Sequence, residues 1–384
     1  MRHNLLLFYY SLVVLVYIIA LPVLIILCFK QKYKISIPSR FFLKNNSAFK
    51  NEGIWFHACS LGEVNSLKPI FKELKEENIN LSVITGTGYK AAKEIEGLHV
   101  RFLPFELFLP FWINKQKTLV VCEAELWPML FIVSKLKGIK TILINARVSD
   151  NSYNSYKKFS WFYKWIFGSI DEVFAQSGID KERLEELGAK KVKVNGNIKT
   201  FSKPVVTKEY IKPRKKVIVV ASSHESEEQM ICENLKLKDD EMLIVVPRHP
   251  ERFASVDKLL QHFTKEKKLT YSKLSVGDDL NKNVVLCDKM GELVNLLAIS
   301  DIVILCGSFI DGIGGHNPLE PAFFGKKIIS GPYTFNQKAL FSLVENIKVC
   351  SIDELKDINF DGLQASKVLH VGNINFLIKE IKNK

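Results

Sequence analysis

The stretch IWFHACSLGE, Ile54 to Glu63, decides the fold. Its first five residues form an apolar run of strand length. Cys59 to Gly62 make a tight turn, and a helical pattern starts at Glu63 and reaches Asn78. The same pattern recurs downstream. LSVIT (Leu81–Thr85), VRFLPF (Val100–Phe105), LVVCE (Leu119–Glu123), TILIN (Thr141–Asn145) and EVFAQ (Glu172–Gln176) are apolar runs separated by stretches of helical length. Near-continuous apolar strands alternating with helices predict a parallel sheet covered on both faces. The series breaks at Thr200–Lys216, which holds Pro204, Pro213 and a cluster of lysines. A second series then follows: Val217–Ser222, Met242–Pro247, Val284–Asp288, Asp301–Gly307 and Lys327–Ser330. Two doubly wound halves of an α/β protein are expected, with ligands in a cleft at the carboxyl ends of the strands.

Outside these halves the chain is biased. Leu5 to Phe29 carries no charged side chain, a run long enough to cross a hydrocarbon core of about 30 Å. Arg2 precedes it, and Lys30, Lys32, Lys34 and Arg40 follow it, which predicts a cytoplasmic location for the rest of the chain. The run exceeds a usual signal-peptide core and no small-x-small cleavage site follows, so an uncleaved anchor is expected. Pro22 keeps an interfacial helix open as the other reading. The expected organisation is an anchor over 1–30, a basic tether over 31–52, a first domain over 53–202, a linker over 203–216 and a second domain over 217–384.

The 384 residues include 54 Lys and Arg against 41 Asp and Glu, a net charge of +13, which calls for an anionic partner. At 47% hydrophobic and 25% charged residues, disorder is excluded. RNA-binding, zinc-finger and helix-turn-helix signatures are absent, so nucleic acid gains no support as that partner. The seven cysteines form no C-x-x-C, and several lie in apolar runs, which predicts reduced, buried thiols and no zinc site. Neither a P-loop motif nor a G-x-G-x-x-G after the first strand occurs. There is also no Asp-x-Asp metal motif. Two aromatic stretches, Phe102–Trp112 and Trp161–Phe167, are core or lipid-facing. Part of the first is expected to be exposed near the cleft.

Polar residues gather just after the strands. Glu63 has two readings, a general base or a first-turn carboxylate favoured by the helix dipole. Glu123 and Glu125 share a face if the strand continues through them, and paired carboxylates can divide acid and base roles. The alternative is a helix start at Pro128. Asn145-Ala146-Arg147 ends the next strand, and Gly196–Lys199 closes the last one before the linker. In the second half, Ser222–Glu225 and Pro247–Arg252 follow strands, and Arg248 can grip a phosphate by its two-pronged fork. Met290-Gly291-Glu292 precedes a helix whose free amides can face an anion. The loop Gly312–Pro321 allows close backbone approach to a phosphate, with a helix starting near Pro318 and Glu320 placed for ribose hydroxyls.

Taken in order, these motifs resemble the Kdo (3-deoxy-D-manno-octulosonic acid) transferases of lipopolysaccharide assembly. The matching runs are His57–Glu63, Glu123–Pro128, Asn145–Arg147, Gly196–Lys199, Ser222–Glu228, Pro247–Phe253, Met290–Leu293, Gly314–Glu320 and Gly331–Asn336. The tether has no clear counterpart in the family pattern. The resemblance implies a GT-B fold and an inverting transfer of Kdo from CMP-Kdo to a lipid A precursor, at the cytoplasmic face of the inner membrane. It implies Glu63 as general base and Glu123 and Lys199 as stabilisers of the transition state. It implies CMP binding by Pro247, Arg248, Met290, Gly291, Glu292, Asn317, Pro318, Leu319 and Glu320. CMP-Kdo is then the donor substrate, no cofactor or metal is needed, and the anionic inner-membrane surface is the second partner. A related membrane glycosyltransferase with a UDP-sugar donor is the alternative.

Overall fold

A computed structural model describes residues 2–123, 125–277 and 280–383, the side chains of Arg2, His3 and Asn151 apart. The chain forms two compact units, Met1–Ser202 with His370–Lys384, and Lys203–Leu369. In the first, β1 (Ile54–Ala58), β2 (Ile79–Val83), β3 (Leu98–Phe102), β4 (Thr118–Cys122), β5 (Lys140–Ala146), β6 (Glu172–Ala175) and β7 (Val192–Val194) make one sheet. Its order is β3-β2-β1-β4-β5-β6-β7 and every pairing is parallel. β1, β2 and β4 are buried at every residue. Alternate side chains feed two cores, Trp55 on one face and Phe56 on the other, each withdrawn almost fully from water. Burial of one such side chain stabilises by roughly 1.5–3 kcal/mol.

The second unit repeats the design. Its strands are β8 (Lys216–Ser223), β9 (Glu241–Pro247), β10 (Tyr271–Lys273), β11 (Val284–Leu286), β12 (Ile302–Leu305), β13 (Lys327–Ser330), β14 (Val344–Glu345), β15 (Ile347–Val349) and β16 (Lys367–Val368). The sheet runs β10-β11-β9-β8-β12-β13-β15, all parallel, and β14 pairs with β16 as a small antiparallel ribbon. The fold is therefore α/β with two Rossmann-like, doubly wound units, as GT-B requires. Strand order reverses between β1 and β4 in one sheet and between β8 and β12 in the other. Those switch points are where loops diverge and leave room for a ligand. β7 is the strand expected just before Gly196, whereas β10, three residues long, has no expected counterpart, because so short a run carries no readable period.

The expected boundaries need three corrections. The C-terminal helix Ile374–Lys382 belongs to the first unit, not to the second domain. Leu377 and Ile381 are buried in the core that holds Val64 and Leu67, and Lys140 Nζ donates to the Glu380 carbonyl at 3.0 Å. Residues 31–52 are no tether. Ser36–Phe41 is helical, and buried Asn46 bridges the Ser39 and Phe102 carbonyls at 3.0 and 2.9 Å. Residues 203–216 are an arm on the second unit rather than a free linker. The Thr207 and Lys208 amides donate to Asn295 Oδ1, and Tyr210 is buried with its hydroxyl on Glu292 Oε2 at 3.0 Å.

The apolar N-terminal helix Arg2–Cys28 is long and apolar enough to cross a membrane and is mostly exposed. One face lies on the first unit. Leu5, Leu6, Tyr9 and Tyr10 pack on its core, and Val13 and Leu24 are buried. The Tyr10 and Tyr17 hydroxyls donate to the Leu107 and Phe41 carbonyls. The other face, from Leu7 to Phe29, presents large apolar side chains outward. Of the first aromatic stretch, Phe111 is 81% exposed while Phe102 and Trp112 are buried, so part of it is open to solvent. Trp161 is also exposed, whereas Trp165 and Phe167 are core. All seven thiols are free, five of them buried.

Glu106 ties this helix to the body. Its Oε2 accepts from Tyr9 Oη at 2.6 Å, and its Oε1 accepts from the Met129 amide at 2.8 Å, in the first turn of helix Pro128–Leu136. Glu106→Ala leaves a buried donor without its acceptor and is expected to cost about 1–3 kcal/mol. Urea unfolding of the detergent-solubilised protein should show this as a lower midpoint at unchanged slope.

Candidate functional site

In the first unit the site lies where β1 and β4 end side by side. Ser60 caps the helix Leu61–Glu73, and Glu63 completes a capping-box variant. Glu63 Oε1 accepts from Ser60 Oγ at 2.9 Å and Oε2 from the Cys59 amide at 2.8 Å. The first-turn reading of Glu63 is seen directly, because its carboxylate closes the helix start, and the same carboxyl is buried. Burial pushes its pKa up to about 7. The Cys59 and Ser60 donors oppose that rise, and Glu123 and Glu125 add to it. A carboxyl tuned there is half ionised at neutral pH, as a general base should be.

Glu123 does not continue the strand. β4 ends at Cys122, and Glu123 turns into the left-handed region at φ 60°, a strained state for a non-glycine residue. The strand alternation that would put Glu123 and Glu125 on one face therefore does not apply. Instead Glu123 Oε1 meets Lys199 Nζ at 3.6 Å and Asn145 Nδ2 at 3.4 Å. Asn145 is left-handed too, at φ 55°, and its Oδ1 accepts from the Ile198 amide, fixing the short turn that carries Lys199. Glu125 Oε2 accepts from Trp127 Nε1 at 2.7 Å, and Pro128 takes the first helical position. Cys59, Glu63 and Glu125 each offer one donor atom within 4.8 Å of the others, a set that can hold a cation. Burial and these two carboxylates push the Cys59 thiol up to about 12. Arg40 is half-buried near Cys59 and Glu125, and burial lowers its pKa against their pull. In the sequence it had read as a flanking topology charge.

In the second unit, loops from β8, β9 and β12 converge. Glu227, fully buried, accepts from four backbone amides: His224 at 3.0 Å, Gly307 at 2.8 Å, Ser308 at 3.2 Å and Phe309 at 3.1 Å. Buried Glu228 takes Ser223 Oγ at 2.8 Å and a two-pronged Arg252 at 2.9 and 3.1 Å. Pro247 ends β9, and the exposed Arg248 follows, its amide donating to the Ser223 carbonyl. Asn317 Oδ1 accepts from the Leu319 amide at 3.0 Å and its Nδ2 reaches Glu320 at 3.3 Å. Pro318 caps the short helix Leu319–Phe323. Burial raises the Glu320 pKa, opposed by Asn317 and Arg248, so these residues share one neighbourhood. Met290 is exposed and Gly291 is left-handed at φ 83°, but the helix starts only at Leu293. The Glu292 carboxylate is engaged by Tyr210 and Asn295, within the arm.

Residues 35–202 match the family model described as 3-deoxy-D-manno-octulosonic-acid transferase (kdotransferase). A 3-deoxy-D-manno-octulosonic acid transferase of Haemophilus influenzae is 32% identical over 358 residues, covering 84% of this chain and 83% of that protein. The chain belongs to the Kdo transferase family. A bifunctional glycosyltransferase/methyltransferase of Fusobacterium nucleatum is 37% identical over 334 residues; the match covers 80% of this chain and about half, 51%, of that longer protein. Among solved structures, the C-terminal CMP-Kdo binding domain of WaaA from Acinetobacter baumannii is 30% identical, covering 38% of this chain and 78% of that domain, with a TM-score of 0.34.

The sequence picked out Glu63, Glu123 and Lys199 in this Kdo transferase, and the first unit brings the three together. It missed Arg40, and it quoted Glu227 and Glu228 only as part of a run. A glutamate in a helix's first turn looks the same in sequence whether it faces water or clamps four amides.

The folded pKa of Glu63, about 7, lies above the ordinary carboxyl value of 4.5. The folded state thus holds a proton that the unfolded chain gives up. The stability linked to Glu63 is complete below pH 4.5 and is lost as pH rises through 7. Glu63→Gln should remove that loss. Its unfolding free energy, from denaturant titration, should match the parent at pH 4 and exceed it at pH 8 by about 1–3 kcal/mol, after allowance for partial solvent screening.

Proposed function

We propose that this Kdo transferase moves Kdo from CMP-Kdo to a lipid A precursor with inversion, at the cytoplasmic face of the inner membrane. The observation that carries the reading is Glu63, a buried carboxyl tuned to about 7 beside the Glu123–Lys199 pair. In this reading Glu63 takes the proton from the acceptor hydroxyl as that oxygen attacks the anomeric carbon of Kdo. The bond to CMP breaks on the opposite side, and CMP leaves with the electron pair. Glu123 and Lys199 stabilise the charge that develops during transfer. In the second unit, Pro247 with Arg248, Met290 to Glu292, and Asn317 to Glu320 hold the nucleotide. Arg248 faces the phosphate and Glu320 the ribose. The outward apolar face of the N-terminal helix, with Phe111 and Trp161, contacts lipid, and the basic excess meets anionic headgroups. No metal takes part, because fixed cations supply the compensating charge.

Purified protein, CMP-Kdo and a tetraacylated lipid A precursor should give a Kdo-lipid product by mass spectrometry, which also counts the residues added. Glu63→Gln should lower turnover about 10²–10⁴-fold while CMP binding persists. The ascending limb of kcat/KM against pH should have its midpoint near 7, the value burial gives Glu63. Activity should survive chelation by EDTA. CMP, not UDP, should raise the thermal midpoint of the full chain. A rise with UDP alone would place the protein among UDP-sugar transferases instead.

A further inference from the structure

His224 and His316 stand in different loops of the second unit, yet their Nε2 atoms are 2.8 Å apart. The ring centroids are 5.0 Å apart and the planes differ by 8°. That separation nearly equals the N···N distance plus the two ring radii, the largest value this contact allows. The rings therefore lie end to end in one plane, not face to face. This is a direct N–H···N hydrogen bond, so one Nε2 bears the proton and the other is bare. The ring with the bare Nε2 carries its proton on Nδ1, and its partner has a bare Nδ1. The neutral pair thus keeps one further donor and one further acceptor. A third proton turns the acceptor into a donor and gives the pair one positive charge. A fourth is excluded, because two Nε2–H groups would then collide.

The pair is built into the fold. Gly307 is left-handed at φ 70°, and a Cβ there would lie 2.8 Å from His316 Cδ2 and 2.9 Å from Nε2. Only glycine leaves room for that ring. The Glu227 carboxylate joins the two loops, holding the His224 amide and the Gly307 amide at once. The charged surroundings are mainly cationic. Arg248, His249 and Arg252 come from the segment after β9, with the His249 ring 5.4 Å from that of His224. Glu228, on the helix after β8, is the opposing carboxylate, itself paired with Arg252. Arg248 and His249 also bear on His316, and Arg248 bears on Glu320. Burial is the first cause that lowers both histidines, His316 to about 4; His224, Arg248 and His249 add to it at His316, and His249, Arg252 and Arg248 add to it at His224 against the pull of Glu228. The empty pair is neutral at pH 7.

We propose that the His224–His316 pair seats the phosphate of the nucleotide and takes up one proton when that anion binds. The proposal rests on the donor-site reading of the second unit. A phosphate beside Arg248 offsets the cations that keep the pair neutral, so the third proton arrives with the ligand and leaves with it. The phosphate monoester of departing CMP carries more charge than the phosphodiester of the bound donor, so the pair favours that product state.

Isothermal titration of the full chain with CMP, between pH 7 and 8.5 in buffers of different ionisation enthalpy, tests this. The expected result is uptake approaching one proton per CMP, with affinity rising up to tenfold per unit fall in pH. Cytidine, which lacks the phosphate, should bind without proton uptake. His316→Gln should abolish the uptake. Gly307→Ala, which keeps both histidines but crowds one ring, should reduce it, and His249→Gln should retain it. CMP binding with no proton uptake, or uptake that survives in His316→Gln, overturns the proposal and leaves the donor site standing. Failure of CMP to bind the parent protein overturns the donor-site reading itself.

Discussion

Strands buried on both faces leave a parallel sheet one place for charge, the ends of its strands. β1, β4, β8, β9 and β12 are buried at all residues but Lys216, and the only Lys, Arg, Asp or Glu in them are Lys216 and Glu241, each the first residue of its strand. The polar chemistry is displaced to the last residues of the strands and to those just past them, and there the backbone is strained. Glu123, Asn145 and Ser222 are all left-handed, at φ 60°, 55° and 58°. Each costs on the order of 1–3 kcal/mol. The surrounding hydrogen bonds hold these conformations. Asn145 is pinned by the Ile198 amide, and Arg248 is laid against the carbonyl of Ser223.

The two units solve the same problem with buried glutamates used in different ways. Glu63 keeps two donors on its oxygens and remains near its titration point. Glu227 collects four amides and acts as a fixed fastener for two loops. The contrast follows from what each faces. Glu63, raised first by burial, has Glu123 and Glu125 for neighbours, which oppose its ionisation, whereas Glu227 collects backbone N–H donors from two loops.

The alternation of apolar runs with helical stretches made both sheets readable from sequence, because a doubly covered strand has to be apolar throughout. The strand-end motifs were readable for the same reason: charge stands out where it interrupts such a run. A short edge strand such as β10 had no comparable signal. Arg40 and Asn46 sat in a segment whose composition resembles a linker, and only tertiary contacts with Leu103 and Phe102 reveal their place. The C-terminal helix was assigned to its neighbour in sequence, since nothing in Ile374–Lys382 states which core its apolar stripe fits.

That helix makes the second unit an insertion within the first. The chain leaves the first unit at Ser202 and rejoins it at His370. During synthesis, the second unit is complete before the first has Leu377 and Ile381 to close its core. The half that carries the apolar N-terminal helix and Glu63 would thus be the last to consolidate. Until Ile374–Lys382 leaves the ribosome, the surface around Val64 and Leu67 stays open to water, and a chain stopped before that helix would hold a finished second unit beside an unfinished first one.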